Sequence, residues 1–249
     1  MSTPALRVDI PPGLHCVRQE RLGALHSRLL TLVDAGSLIA LRDEVLADLP
    51  DPDLYVRESD EEAFVRMHLG SANGNLCRGE TLGVFDGERL VAYAMLGLPA
   101  PDDEDNLGRL FVPGVTEPAR TAHLTSCMVL KPYRGHRLQR MLLVARMALA
   151  QAYGRNFCVA MVSLRNHASR HNMMRERLRI GWVGEIDGLQ RQLLVIRCGD
   201  QGVFDRRTLR LVDSDDWQRQ CELTRQGWWG IDAYQARSGH YKLGFARPF

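Results

Sequence analysis

Apolar residues change their period along this chain, and each change marks a new kind of element. Leu22, Leu25, Leu29, Leu30, Leu32 and Val33 recur near the 3.6-residue period of a helix. Leu38 to Leu49 repeats the pattern until Pro50 and Pro52 stop it. With a further short helix over Glu61 to Leu69, the first 70 residues read as helical. The period then falls to two. Thr81 to Phe85 and Arg89 to Leu96 read as strands joined across Asp86-Gly87, a strong hairpin signal. Thr121 to Leu130 is a third strand, ended by Lys131-Pro132. From Gly135 to Tyr153 a helix is predicted, with Leu138, Met141, Leu142, Ala145, Leu149 and Ala152 as its apolar stripe and Gly154 as its C-cap. Phe157 to Leu164 is a continuous apolar run, the pattern of a strand covered on both faces. Ala168 to about Arg179 reads as helix, and Trp182 to Ile186 and Leu189 to Arg197 flank Asp187-Gly188 as a second hairpin. One more helix is predicted near Asp215 to Arg225, and no internal repeat or low-complexity tract is evident.

This order of elements predicts an α/β protein with a mixed, mostly antiparallel sheet and one right-handed parallel strand-helix-strand crossover at its centre. Pro99 to Pro118, with Asp102, Asp103, Glu104 and Asp105, breaks the pattern as a long irregular insertion, the kind of loop that is more often functional than filler. The chain divides into N-terminal helices over 1–70, a core over 71–199 and a C-terminal extension over 200–249 packed on that core.

Composition narrows the class. The chain has 249 residues, 45% hydrophobic and 25% charged, the values of a globular protein large enough to bury a core. Its 32 basic and 30 acidic residues give a net charge of +2, too small to argue for nucleic acid as a partner. Lys131 and Lys242 are the only lysines, an arginine bias that reads as a property of the genome. The six cysteines are scattered without CxxC or zinc spacing, so reduced thiols and no metal are expected. Met1 to Leu14 has no apolar stretch of signal-peptide length, and no run of about 18 apolar residues occurs. The expectation is a cytoplasmic protein without a membrane partner.

Candidate chemistry concentrates between His123 and Gln139. A strand runs into the tight turn Tyr133-Arg134-Gly135, and a helix begins at once. The first turn of a helix carries unpaired N–H groups and roughly half a positive charge, here with Arg134, His136 and Arg137 around it. Such a turn can bind a diphosphate. It can equally be a capped helix with solvated arginines.

The segment resembles motif A of the GNAT superfamily of acyl-CoA-dependent acyltransferases, through Val129, Tyr133, Arg134, Gly135 and Leu138-Gln139. Arg137 and Gln139 stand where glycine or alanine is usual, and Lys131 stands where proline is usual, with Pro132 next. The resemblance runs from about residue 81 to 198. Asn166 after the apolar strand, Ser169 three residues on, and Gly181-Trp182 for the usual Gly-Phe look like the family's second cofactor segment. It implies a GNAT fold and transfer of an acetyl group from acetyl-CoA to an amine. The cofactor-binding residues implied are Met128, Val129, Arg134, Gly135, His136, Arg137, Leu138, Gln139, Asn166 and Ser169.

In this family a backbone N–H on the splayed strand stabilises the oxyanion, which here means the amide of Met128 or Val129, a donor worth about 10²–10³ in rate. The base candidate is His123, which shares a strand face with Thr125, Cys127 and Val129 and falls where some members carry histidine or glutamate. Its alternative is a hydrogen-bonded structural histidine. The family's tyrosine acid, about four residues before the Gly-aromatic pair, is replaced by Arg177; Tyr153 and Cys127 are weak substitutes. The basic helix of His167, Arg170, His171, Arg175, Arg177 and Arg179 reads as a solvated face or a contact for the cofactor's 3′-phosphate.

The acidic insertion and the aromatic tail (Trp217, Trp228, Trp229, Tyr234, Tyr241) are expected either to shape the acceptor side of the cleft or, for the tail, to cover sheet or form a homodimer contact. The acceptor is expected to be a small-molecule amine rather than a protein. A non-catalytic acyl-CoA-binding or regulatory module is the alternative function.

Overall fold

A computed structural model describes residues 17–19, 23–49, 51, 54–55, 58, 60–70, 79–200, 202–236 and 239–249. The segment Met1 to Leu14, Cys16, Leu22, Pro50, Pro52 and Cys77 lie outside these residues. One mixed sheet of eleven strands runs through the molecule in the order β1-β2-β3-β4-β5-β6-β8-β7-β10-β11-β9.

The N-terminal segment opens with strands rather than with a helix: β1 is Val17–Gln19 and β2 is Gly23–Leu29. In β2 the burial alternates, with Leu25 and Ser27 inward and His26 and Arg28 outward. The inward polar Ser27 hides the period of two, so the leucines mimic a helical stripe. Helix α1 (Ala35–Ala47) and helix α2 (Glu61–Leu69) follow as the periodicity predicts, α2 capped by Asp60 accepting from the Ala63 amide.

Strands β3 (Gly79–Asp86) and β4 (Arg89–Gly97) form the first hairpin, with Asp86 opposite Arg89 and therefore Gly87-Glu88 as the loop, one residue later than Asp86-Gly87. The insertion stays irregular apart from short 3₁₀ turns at Leu107–Leu110 and Pro118–Arg120. It lies over one face of the sheet, where its Phe111 is buried with Val159, Leu193 and Val195 and packs beside Trp182 and Trp229.

The core continues with β5 (Thr121–Val129), helix α3 (Leu138–Ala152), β6 (Phe157–Ser163), helix α4 (His167–Arg175), β7 (Arg179–Ile186) and β8 (Leu189–Arg197). β5 and β6 are parallel and their neighbours antiparallel, the predicted crossover. The fold brings two of the scattered cysteines together, Cys158 and Cys198, with Sγ atoms 3.8 Å apart.

The extension is a continuation of the sheet, with β9 (Phe204–Asp213), helix α5 (Trp217–Arg225), β10 (Trp229–Gln235) and β11 (Tyr241–Pro248). It also repeats the unit before it, contrary to the sequence reading. Trp217 begins α5 fifty residues after His167 begins α4, and both helices are 9 residues long. Asn166 and Asp216 each cap through a side-chain oxygen that accepts the amide three residues on. The left-handed residues Arg177 (φ 69) and Gly227 (φ 78) end the two helices alike. The β7–β8 ladder shifts register between Ile180 and Trp182, and β10–β11 shifts between Gly230 and Asp232. Side chains at these positions differ enough to conceal the repeat from the sequence.

The two units meet β-edge to β-edge through one rung, Gly230 opposite Ile180. A buried polar chain reinforces the joint: Arg170 Nη1 donates to Gln192 Oε1 (3.1 Å), and Gln192 Nε2 donates to Gln220 Oε1 (2.5 Å). Among the described residues, no helix is long and apolar enough to cross a membrane.

Candidate active site

The site is a wedge opened by two strands that part company. β5 and β6 pair at Thr121–Phe157, Ala122–Cys158 and His123–Val159, and no rung follows. On its other side β5 keeps pairing with β4, but Ser126 is an extra residue between the Ala94–Cys127 and Met95–Thr125 rungs, with φ 28. Arg146 of α3 pins this bulge by donating from Nη1 to the carbonyls of Met95 (2.9 Å) and Thr125 (2.7 Å). Burial lowers the pKa of this guanidinium, which is 1% exposed. An arginine inside the apolar stripe of α3 was its signal in the sequence, and the stripe reading passed over it.

Strand parity decides which amides face the wedge. The Leu130 N–H donates to Val91 O (3.0 Å) on β4, so Met128, two residues earlier and opposite Tyr93, also directs its amide at β4. Val129 points the other way. Its carbonyl accepts from Arg134 Nε (3.0 Å), and its N–H faces the same open side. Of the two oxyanion candidates, Val129 has the suitable direction.

Below the strand, Lys131–Tyr133 forms a 3₁₀ turn, Gly135 (φ 83) and Arg137 (φ 64) turn left-handed, and α3 starts at Leu138, three residues later than predicted. Glycine is suited to the first of these positions. The first helical bond runs from Met141 N–H to Arg137 O, so the amides of Leu138, Gln139 and Arg140 precede it at the positive end of the helix. They line a cavity of about 640 Å³ together with Met128, Val129, Arg134, Gly135, Arg137, Asn166 and Ser169. His136 is the one predicted cofactor residue that is not in this lining.

A Cβ built on Gly135 meets nothing within 4 Å, so the turn is open towards the cavity. Lys131 and Arg134 both hold Asp48 at the mouth, and their hydrogen bonds lower its pKa. Across the cavity, Gln139 Nε2 donates to Ser169 Oγ (3.1 Å) and accepts at Oε1 from Asn172 Nδ2 (2.6 Å). Gln139 thus ties α3 to α4 where a small residue was expected. These features fit a diphosphate: open backbone, several N–H donors and the exposed guanidinium of Arg137.

His123 sits at the last rung before the wedge. Its Nε2 accepts from the Leu107 amide (3.1 Å), so the lone pair is occupied by the insertion. Burial pulls its pKa down to about 4, against a smaller opposing pull from Asp105 and Asp103. Cys127 is half-buried and lines the cavity, and burial raises the pKa of its thiol. A group that the sequence reading missed lies beside the bulge: Tyr55 donates its hydroxyl to Glu58 Oε1 (2.9 Å), next to Ser126 and Tyr93. Burial, then Glu58, drives the Tyr55 pKa well up, so it stays protonated. These residues fall in the loop between α1 and α2, where no periodicity marks them.

No protein-family profile matches the chain, and no curated protein matches it. Solved structures do. A GCN5-related N-acetyltransferase from Kribbella flavida matches with a TM-score of 0.52 at 15% identity, over 70% of this chain and 97% of its own. The fold is the GNAT fold. An N-acetyltransferase from Staphylococcus aureus Mu50 (TM-score 0.50, 15% identity, 70% and 98% covered) is similar. So is the yncA protein of Salmonella typhimurium, solved with its cofactor acetyl-CoA (TM-score 0.50, 16% identity, 71% and 95% covered).

Gly181 and Trp182 lie inside β7. The left-handed end of α4 is Arg177, followed by buried Leu178. Met173, four residues before Arg177, is buried too. The basic helix is divided: Arg170 is buried in the joint, while Arg175 lines the 640 Å³ cavity. Of the tail aromatics, Trp228 is buried with Arg210 and Arg247 over its ring, and Trp229 packs beside Phe111, whereas Tyr234 is exposed.

Proposed function

We propose that the chain is an N-acyltransferase that passes an acetyl group from acetyl-CoA directly to a small-molecule primary amine. The observation that carries this reading is the wedge between β5 and β6, opening onto a left-handed Gly135–Arg137 turn and a helix N-terminus in one cavity. Bound acetyl-CoA would supply an electrophilic thioester carbonyl. The α3 amides and Arg137 would hold its diphosphate, and Gln139, Asn166 and Ser169 would line its other flank. The Val129 N–H would donate to the carbonyl oxygen as negative charge gathers on it. A neutral imidazole whose lone pair is engaged by Leu107 is a poor base, so His123 fits the holding of the insertion. Glu58, steadied by Tyr55, would receive the amine proton.

Gly135→Asp places bulk and a negative charge in the open turn. Acetyl-CoA should raise the melting temperature of the parent and leave that of the variant unchanged. Equal calorimetric affinity for the two would overturn the assignment of this turn. Turnover follows from free-thiol release with a panel of amines; binding without turnover would favour the non-catalytic acyl-CoA-binding module. Glu58→Gln should then lower kcat about 10²-fold at unchanged acetyl-CoA affinity. A loss of kcat in His123→Ala at unchanged melting temperature would return the base to the imidazole.

A further inference from the structure

A second cavity of about 330 Å³ lies at the other end of the sheet from the wedge, and nothing in the proposed reaction uses it. Its volume falls at the small end of ligand pockets, about 300–1,000 Å³. The first unit supplies Phe157 at the start of β6, Arg177 before β7, Arg179 at the start of β7 and Arg197 at the end of β8. The second supplies Phe204 and Trp229, whose rings are 6.1 Å apart.

The three arginines bring cations without an ion pair, although Asp232, outside the lining, lies close enough to Arg179 to act on it. Arg28, Arg89, Arg140 and Arg206 each hold a carboxylate, but among the described residues Arg177, Arg179 and Arg197 hold none. Arg179 Nη1 donates to the carbonyls of Met174 (3.0 Å) and Leu178 (3.1 Å), while its Nε is buried without an acceptor. Arg197 lies over the Phe157 ring at 5.7 Å. The one acid in the lining, Asp200, accepts the Gly202 amide (2.9 Å).

Arg177 adds an independent observation. Its φ of 69 lies in the region where a side chain is strained, and its counterpart in the second unit is glycine. The first unit retains the strain at the position from which a guanidinium reaches the cavity.

The geometry points to a binding site for a small aromatic carboxylate. The ring would lie among Phe157, Phe204 and Trp229, and the carboxylate would take the free donors of the arginines, whose planar forks match it. Three cations against one acid select an acid over an amine. Such a ligand would touch both units across a joint that has one backbone rung.

Calorimetric titration of the whole chain with phenylacetate tests this, with phenethylamine and inorganic phosphate as controls. Saturable phenylacetate binding is expected, with weaker binding of both controls. Arg177→Gly should raise the melting temperature by about 2–4 °C, by relieving the strain. The same variant should weaken phenylacetate binding about tenfold, a loss that unfolding cannot explain. Arg197→Met, at an exposed position, should weaken it similarly, and acetyl-CoA affinity should be unchanged in both. No saturable heat up to about 10 mM, either control binding as tightly as phenylacetate, or undiminished affinity in both variants would overturn the site.

Discussion

The unit from Phe157 to Arg197 and the unit from Phe204 to Pro248 share a skeleton down to single hydrogen bonds. Arg170 donates to the carbonyl of Leu164 (2.8 Å), and Gln220, fifty residues on, donates to that of Ser214 (3.0 Å). Leu178 N–H closes α4 on Met173 O, and Trp228 N–H closes α5 on Leu223 O. Their helix N-termini nevertheless do different things. The first is capped by the uncharged Asn166 and stands beside α3, with Ser169 and Asn172 bonded to Gln139. The second is capped by the carboxylate of Asp216, directly after Asp215. Among the described strands none pairs parallel with β9, so no such wedge opens beside it. A strand-helix-hairpin unit is therefore only a frame. In the proposed reading, a neighbouring helix N-terminus, a parted strand and a neutral cap are what would make it receptive to an anion.

The largest effect should come from cutting the chain that joins the units. Gln192→Leu leaves the Arg170 guanidinium and the Gln220 amide without their shared partner in a buried place, which should cost about 3 kcal/mol. Urea unfolding measures it, and a loss under about 1 kcal/mol would mean the units do not depend on this support. Next comes an exchange of caps. Asn166→Asp keeps the helix cap, so the melting temperature should hold, but it adds a carboxylate beside the cavity and should weaken acetyl-CoA binding about tenfold. Asp216→Asn should leave that binding alone; parity between the two variants would erase the distinction drawn between the units. The smallest effect belongs to the helix ends. Gly227→Arg imposes on the second unit the strain that the first already carries, at a cost of about 1–2 kcal/mol. A neutral result would show that the left-handed residue is not what separates Arg177 from its counterpart.

Much of the core was legible from periodicity. Helix α2 falls on Glu61–Leu69 as predicted, and the Asp187-Gly188 loop, with both residues at positive φ, is where the hairpin signal put it. The turn at the foot of the wedge was legible too, because Tyr133-Arg134-Gly135 ahead of an apolar stripe is local information. What escaped was non-local. The Nε2 of His123 is occupied by an amide 16 residues away in the chain. The strands of the extension went unread because β9 is mostly exposed, and its inward Val212 stands among arginines. The repeat was hidden because equivalent positions share conformation and burial, as Arg170 and Gln220 do, rather than residue type.

The outermost strand carries one more consequence. β9 bonds to β11 on one side and leaves its other backbone edge unpaired among the described strands. An open flank of this length invites edge-to-edge self-assembly of one copy on another. Arg206, Arg207 and Arg210 stand exposed along it, the first two ion-paired with Asp232 and Asp205, so a copy docking on this edge would have to bury or break those pairs. Growth of the sheet on this side therefore carries the cost of taking charge out of water.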